Sequence, residues 1–391
     1  MSERTEEFRE RVLAAAVEKT PLRIRGGGTK DFYGNAPAGE LLDTTGHAGI
    51  VAYEPTELVV TVRAGTPLAE LEAALAEQGQ MLAFEPPHFS PLPLWERGRG
   101  RGGDGGAAGE GIGAAPPLPQ PLPHEGGGEF RATVGGCVAA GLSGPRRATA
   151  GAVRDFVLGV KLLDGKGEVL NFGGQVMKNV AGYDVSRLMT GALGTLGLLL
   201  EVSLKVLPKP HAEATLLLEL PQDKAIEAMN RWGGQPLPLS ATCWSDGLLT
   251  VRLSGARAAV VAARAKIGGE EVADAEGFWR AVREQQDDFF SGAAALWRLS
   301  LPSKTAPLAL PGGQRVEWGG ALRWLKSDMP AAAVREAAAQ AGGHATLFRG
   351  GDKSAGAFQP LPAPLMQIHQ NLKRNFDPQG LFNPGRLYAE F

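Results

Sequence analysis

A run of three glycines, Gly26–Gly28, breaks the short apolar stretch in "PLRIRGGGTKDF" (residues 21–32), and Thr29 and Lys30 follow at once. Three successive residues without a Cβ mean that the backbone turns through positive φ or comes closer to something than a side chain allows. Placed after a strand, the triplet turns several N–H groups toward one point and forms an anion nest, with Arg25, Thr29 and Lys30 adding donors and charge. A diphosphate suits that geometry, and so does a plain turn. Two further clusters come after it in the chain. "RATVGGCVAAGLSGPRR" (131–147) sets Gly135 and Gly136 before a small-residue helix start and ends in Gly144, Arg146 and Arg147. "KNVAGYDVSRLMTGALGTLG" (178–197) ends in Gly191, Gly194 and Gly197. Three clusters in one unit imply a long cofactor lying across the backbone. Neither G-x-x-x-x-G-K-[ST] nor a strand-coupled G-x-G-x-x-G followed by an acid at the proper distance occurs, which disfavours P-loop and dinucleotide-fingerprint folds.

The chain around these clusters reads as an α+β protein of 391 residues, long enough for two or three cored domains. The opening "MSERTEEFRERVLAAAVEKT" is an amphipathic helix rather than a signal peptide. Strands "PLRIR", "GIVAYEP" and "LVVTVRAG" follow, then a helix expected to take Thr66 as N-cap with Pro67 at its first position. "FVLGVKLL" and "EVLNFG" flank the turn "DGKG" as a hairpin, and "LGLLLEVSLKVLP" is a buried strand. That last run is broken by Glu201 and Lys205, well short of the ~20 residues a membrane span needs. From about residue 212 the order β-α-β-β-α-β suits a ferredoxin-like cap. A last amphipathic helix, "PLMQIHQNLKRNF", ends at "DPQGLFNPGRLY". The expected division is 1–210, 211–350 and a C-terminal segment, 351–391, that returns to the first domain. Residues 90–129, dominated by Gly and Pro, read as a disordered insertion, either a tolerated one or a proline-rich docking arm.

The formal net charge of −2, with both signs interspersed, argues against nucleic acid or an anionic membrane as the main partner. Cys137 and Cys243 are the only cysteines and stand in no C-x-x-C spacing, so the chain alone builds neither an iron–sulfur cluster nor a cysteine zinc site. A reducing, cytoplasmic setting is expected.

At this point a family resemblance is carried by "RIRGGGTKDF", "ATVGGCVAAG", "VRDFVLGVKLLDGKGEVLNFGG", "VMKNVAGYDVSRLMTGALGTLG" and "FDPQGLFNPGRLY". These resemble the PCMH-type FAD-binding domain of the vanillyl-alcohol oxidase family. With "EPPH", "GLSGPRR", "WGGALRWLK" and "GGHAT" added, the chain resembles, nearly end to end outside the insertion, the FAD-binding E subunits of bacterial glycolate oxidases. The resemblance implies a PCMH-type domain of two α/β subdomains, a cap, and noncovalent FAD. The pyrophosphate would be held by Arg25, Gly26, Gly27, Gly28, Thr29 and Lys30 and by the turn at Gly135 and Gly136, with Gly144 nearby. Val153, Asp155, Gly194 and Gly197 would pack on the adenine side. Asn383, with Arg386, matches the family's closing turn near the flavin, or is a plain Asn-Pro-Gly stop. Pro86, Pro87 and His88 match a segment beside the flavin, although His88 also suits a turn cap. Several family members attach flavin through a histidine in the first glycine loop; Thr29 and its neighbours offer none, so a covalent link there is not expected.

Oxidising a 2-hydroxy acid needs a hydride acceptor, a base for the hydroxyl proton and a cation for the carboxylate. His344 as base and Arg323 as carboxylate clamp are the expected residues. Related catalytic subunits carry a paired-histidine metal site, G-H-x-G-x-G-N-x-H; here Gly351 replaces the second histidine, so no metal site is expected. The resemblance implies an FAD-carrying subunit that oxidises glycolate, with D-lactate as a further substrate. It would work with a homologous FAD-linked subunit and an iron–sulfur subunit, in the cytoplasm or held on the inner face of the membrane through that complex. The alternative is a non-catalytic flavin-binding scaffold of the same complex.

Overall fold

A computed structural model describes residues 2–89, 131–174 and 184–391. The expected insertion and the segment "VMKNVAGY" lie outside the described residues. The first unit is built on strands β1 (Leu22–Arg25), β2 (Glu40–Asp43), β3 (Ile50–Glu54), β4 (Val59–Arg63), β5 (Gln80–Met81), β6 (Val157–Leu163), β7 (Val169–Gly173), β8 (Leu198–Lys205) and β9 (Leu207–Pro208). Five of these form an antiparallel sheet in the order β3-β4-β8-β6-β7, while β1 pairs in parallel with β2. Central strand β8 is buried on both faces, which explains its near-continuous apolar run. On one side Val202 and Leu204 meet Leu68, Leu71 and Leu75 of helix Leu68–Glu77 and Val134 and Val138 of helix Val134–Ala140. On the other, Leu198 and Leu200 meet Phe8 and Val12 of the N-terminal helix, Glu3–Glu18.

The expected hairpin forms at Asp164, whose Oδ1 accepts from the Lys166 and Glu168 amides. Helix Leu68–Glu77 begins one residue later than expected, with Pro67 as its cap. Thr66 instead turns its hydroxyl back to donate to the Arg63 carbonyl at 2.7 Å and to accept from the Gly49 amide. Pro67 bridges Thr133, so the Leu68 amide is spent on the Ala132 carbonyl, and tertiary pairing overrides the cap preference.

The second sheet has eight antiparallel strands: β10 (Ala212–Glu219), β11 (Leu239–Ser245), β12 (Leu248–Gly255), β13 (Glu270–Glu271), β14 (Leu296–Ser300), β15 (Gly313–Glu317), β16 (Leu322–Lys326) and β17 (His344–Arg349). Their order, β13-β10-β12-β11-β15-β16-β14-β17, contains the ferredoxin-like arrangement twice, joined edge to edge through β11 and β15. The join covers two edges that would otherwise offer unpaired backbone groups. Between β14 and β15 a helix-free connection replaces the first helix of the repeat. Register fixes the faces of this sheet. Trp297, Leu299 and Leu325 pack against Val334 and Ala338 of helix Ala331–Gln340. Residues of opposite parity, among them Leu296, Leu322, Trp324 and Phe348, cluster with Phe89, Leu142 and Leu193 of the first unit.

The C-terminal tail returns to the first unit. After helix Ala363–Phe376, the Leu22 amide donates to Leu381 and the Asn383 amide donates to Leu22.

Candidate functional site

Two clefts open along the first unit. The larger, about 600 Å³ up to its mouth, is lined by the whole segment Arg23–Asp31, by Gly136 and Ala140 opposite, and by Leu193, Asn383 and Arg386. The triplet is forced by the chain itself. A Cβ on Gly27 would lie 1.5 Å from the Arg131 carbonyl oxygen, one on Gly26 2.3 Å from Thr133 Oγ1, and Gly28 has φ of +72° with the Arg25 guanidinium folded over it. Arg25 in turn is fixed by Asp31 at 2.8 Å.

Asn383 closes the cleft. Its Oδ1 accepts from the Ile24 amide at 2.8 Å and its Nδ2 donates to the Leu193 carbonyl at 2.7 Å. Arg386 donates to the carbonyls of Asp31 and Asn35, and its burial lowers the guanidinium to about 10. Among the described residues the lining therefore carries Arg23, Arg25, Lys30 and Arg386 against a single acid, Asp31. On Gly136 a Cβ would meet only Thr133 Oγ1, at 3.1 Å, so that residue leaves room toward the cleft. A backbone-walled, cationic groove of this kind fits the diphosphate of a dinucleotide.

Among the residues expected from sequence, Arg25, Gly26, Gly27, Gly28, Thr29, Lys30, Gly136 and Asn383 thus share one cleft. Others do structural work. Gly135 lets helix Val134–Ala140 close on β4, its amide donating to Ala64 at 2.7 Å. Gly197 lets the start of β8 reach Leu162 and Leu163, and Gly194, at φ +71°, makes room for Asn383. Val153 is core, and Asp155 caps its own turn by accepting from the Ala152 amide.

The smaller cleft, about 360 Å³, lies between the eight-stranded sheet and two loops of the first unit, and it includes Pro87, Phe89 and Gly144. Pro86 is buried beside Pro87. Glu284 places this loop by accepting from the His88 and Phe89 amides, at 3.0 and 2.8 Å. His88 turns instead to Glu72, 2.9 Å away. Glu85 clamps the two units together between Arg146 and Arg252; burial would raise its carboxyl, but the two guanidinia hold it below the ordinary range.

The residues expected to carry chemistry line neither cleft. Arg323 lies on the helix-covered face of β16, where it donates to the Gly320 and Thr305 carbonyls and burial lowers it to about 10. A one-residue change of parity separates it from Trp324, which does line the smaller cleft. His344 is exposed at the first residue of β17, opposite Ser300. Sequence reasoning passed over Arg298 and Glu317, both in the smaller cleft. Their signal was a charge within a buried, alternating strand, "LWRLS" and "QRVEW".

Glu317 is 5% exposed, and burial is the largest influence on its carboxyl. That raises it to about 7, against the lowering pull of Arg315 and of the hydrogen bond from Trp324. A carboxyl raised on folding gives stability that is complete below the ordinary carboxylate range and is lost as pH rises through about 7. The thermal midpoint is expected to fall between pH 5 and pH 8 and to do so less in Glu317→Gln; parallel curves for both proteins would contradict this.

The comparisons agree with this geometry. Residues 2–93 and 120–173 match the family model described as an FAD binding domain. The chain is 48% identical over 381 residues to glycolate oxidase subunit GlcE of Escherichia coli, covering 97% of this chain and 96% of that protein. Over 86 residues it is 40% identical to glycolate oxidase subunit GlcD of Bacillus subtilis, which covers 22% of this chain and 18% of that one. An alkyldihydroxyacetonephosphate synthase structure aligns with a TM-score of 0.60 at 14% identity, over 97% of this chain and 75% of its own, a likeness of fold. End-to-end identity at this level, on a glycine-walled cleft suited to FAD, means that the chain belongs to the FAD-dependent oxidoreductase family of the glycolate oxidase subunit GlcE.

Proposed function

We propose that this chain is the FAD-carrying subunit of a complex that oxidises glycolate, with D-lactate as a further substrate, to the 2-oxo acid. The reading is carried by its identity to E. coli GlcE along nearly the whole of both chains. Bound noncovalently, FAD would supply the two-electron acceptor. The chain's part is to hold its diphosphate on Arg25–Lys30 and Gly136 and to close the cleft with Asn383 and Arg386. Two cysteines are too few to ligate an iron–sulfur cluster, so electrons leave through partners: a homologous FAD-linked subunit and an iron–sulfur subunit. Among the described residues no helix is long and apolar enough to cross a membrane, and any attachment to the inner membrane face would run through the complex.

A second reading, a flavin-binding scaffold without turnover, is favoured by Gly351 standing where related catalytic subunits have their second metal histidine. Purifying the chain alone and adding glycolate without air separates the two. Bleaching of the visible flavin band is expected. A flavin that stays oxidised in the isolated chain, but is needed for activity of the reconstituted complex, would establish the scaffold.

A further inference from the structure

Two arginines of the eight-stranded sheet are spent on carboxylates. Arg252 meets Glu85 at 2.8 Å, and Arg315 is held by both oxygens of Asp287, at 2.6 and 2.9 Å. Arg298, on β14, is different. It lines the smaller cleft half-buried, and among the described residues it pairs with no carboxylate. Its guanidinium lies 5.2 Å from the centre of the Trp318 ring, and Arg147, likewise without a carboxylate partner among the described residues, lies 4.7 Å from the same ring. Two cations gathered on one indole repel each other, and the charge set against Arg298 is the Glu317 carboxyl of the same cleft, which it pulls downward without forming an ion pair among the described residues.

An acceptor stands in the same cleft. Among the described residues, the side chain of Glu317 takes one hydrogen bond, at Oε1 from Trp324 Nε1 at 2.9 Å. Trp318 is fixed by donating its Nε1 to the Gly144 carbonyl at 3.0 Å, and with Trp324, Leu322 and Phe348 it gives the cleft apolar walls. The cleft is narrow, about 360 Å³ with its open mouth included. A cation, a hydrogen-bond acceptor and indole walls together match a short chain with a carboxylate at one end and a hydroxyl beside it.

We propose that the smaller cleft binds the carboxylate of a small 2-hydroxy acid on Arg298, with Glu317 receiving the hydrogen bond of the 2-hydroxyl group. This rests on the reading of the chain as a 2-hydroxy-acid oxidoreductase subunit. It moves the carboxylate clamp from Arg323 to a residue of opposite sheet face, and it gives the chain a substrate site without a histidine.

Trp318 and Trp324 supply a readout independent of turnover. Indole fluorescence of the flavin-loaded protein is titrated with glycolate and with acetate, which has the carboxylate and lacks the hydroxyl. Saturable quenching by glycolate is expected, weakened at least tenfold in Arg298→Met and less in Arg298→Lys, which keeps the charge but not the fork. Glu317→Gln is expected to keep acetate binding and lose the preference for glycolate. Circular dichroism of each variant guards against misfolding. Quenching that is the same in wild type and both Arg298 variants would overturn the site, as would no saturable response in wild type. The two readings fail separately: flavin bleaching by glycolate that persists in Arg298→Met removes this site and keeps the oxidoreductase. Arg298-dependent quenching with no bleaching keeps the site and removes turnover by this subunit.

Discussion

Replacing Gly27 with alanine is expected to strip the protein of flavin and to destabilise it at the same time. A single Cβ there would stand 1.5 Å from the Arg131 carbonyl oxygen and 2.5 Å from its carbon, and both are backbone atoms that no rotamer change removes. Relief requires moving residues 131–133, but these are fixed by three connections. The Leu68 amide is bonded to Ala132, Pro67 bridges Thr133, and the Gly136 amide is bonded to Thr133 Oγ1. Overpacking of this kind destabilises by about 1–3 kcal/mol. Displacing the nest also weakens hydrogen bonds to phosphate worth about 1.5–3 kcal/mol each, so FAD affinity is expected to fall about 100-fold or more. Gly136→Ala separates the two effects, because its Cβ meets only Thr133 Oγ1 at 3.1 Å. That variant should lower its thermal midpoint far less than Gly27→Ala and still lose flavin. Absorbance of gel-filtered protein and thermal unfolding measure both; a yellow Gly27→Ala protein would refute the role given to the triplet.

This pair also shows how far the sequence could be read. The three glycine clusters were visible as positions where a Cβ is excluded. What excludes it was not visible, because a neighbouring strand and a phosphate impose the same requirement. At Gly26, Gly27, Gly135 and Gly197 the chain comes within 3.0 Å of a Cβ, whereas at Gly136 it meets only Thr133 Oγ1, at 3.1 Å. The hairpin at Asp164 and the buried strand Leu198–Lys205 were legible because turn chemistry and unbroken apolar runs are local signals. Faces of the eight-stranded sheet were less so. In "ALRWLK" alternation puts Arg323 and Trp324 on opposite sides, and the usual rule turns the arginine toward the polar side. Here both sides are covered, by helices on one and by the first unit on the other, so polarity no longer marks the face; carbonyls of Gly320 and Thr305 satisfy the buried guanidinium. The second ferredoxin-like repeat went unread because the connection after β14 contains no helix, which breaks the pattern that identified the first.

The second large effect is expected at Lys373, which is 4% exposed inside the C-terminal helix. Its ammonium donates to Asp377 Oδ2 at 2.6 Å, to the Thr195 carbonyl at 2.7 Å and to the Phe382 carbonyl at 2.9 Å. Asp377, 1% exposed, also accepts from the amides of Leu381 and Phe382, at 2.9 and 2.7 Å. Removing one partner leaves a buried charge uncompensated, so Lys373→Met is expected to destabilise by about 3–5 kcal/mol. Replacing both residues with apolar ones should lose less than the two single losses added together, since the charge left behind is then gone. The effect should reach the flavin as well. Lys373 and Asp377 fix the tail through Phe382, the next residue is Asn383, and Asn383 holds Ile24 and Leu193 at the wall of the larger cleft. Denaturant unfolding and flavin retention are therefore expected to fall together in Lys373→Met. Loss of stability with flavin affinity unchanged would show that the tail stays seated without the buried pair, and that the cleft is closed by Asn383 and Arg386 alone.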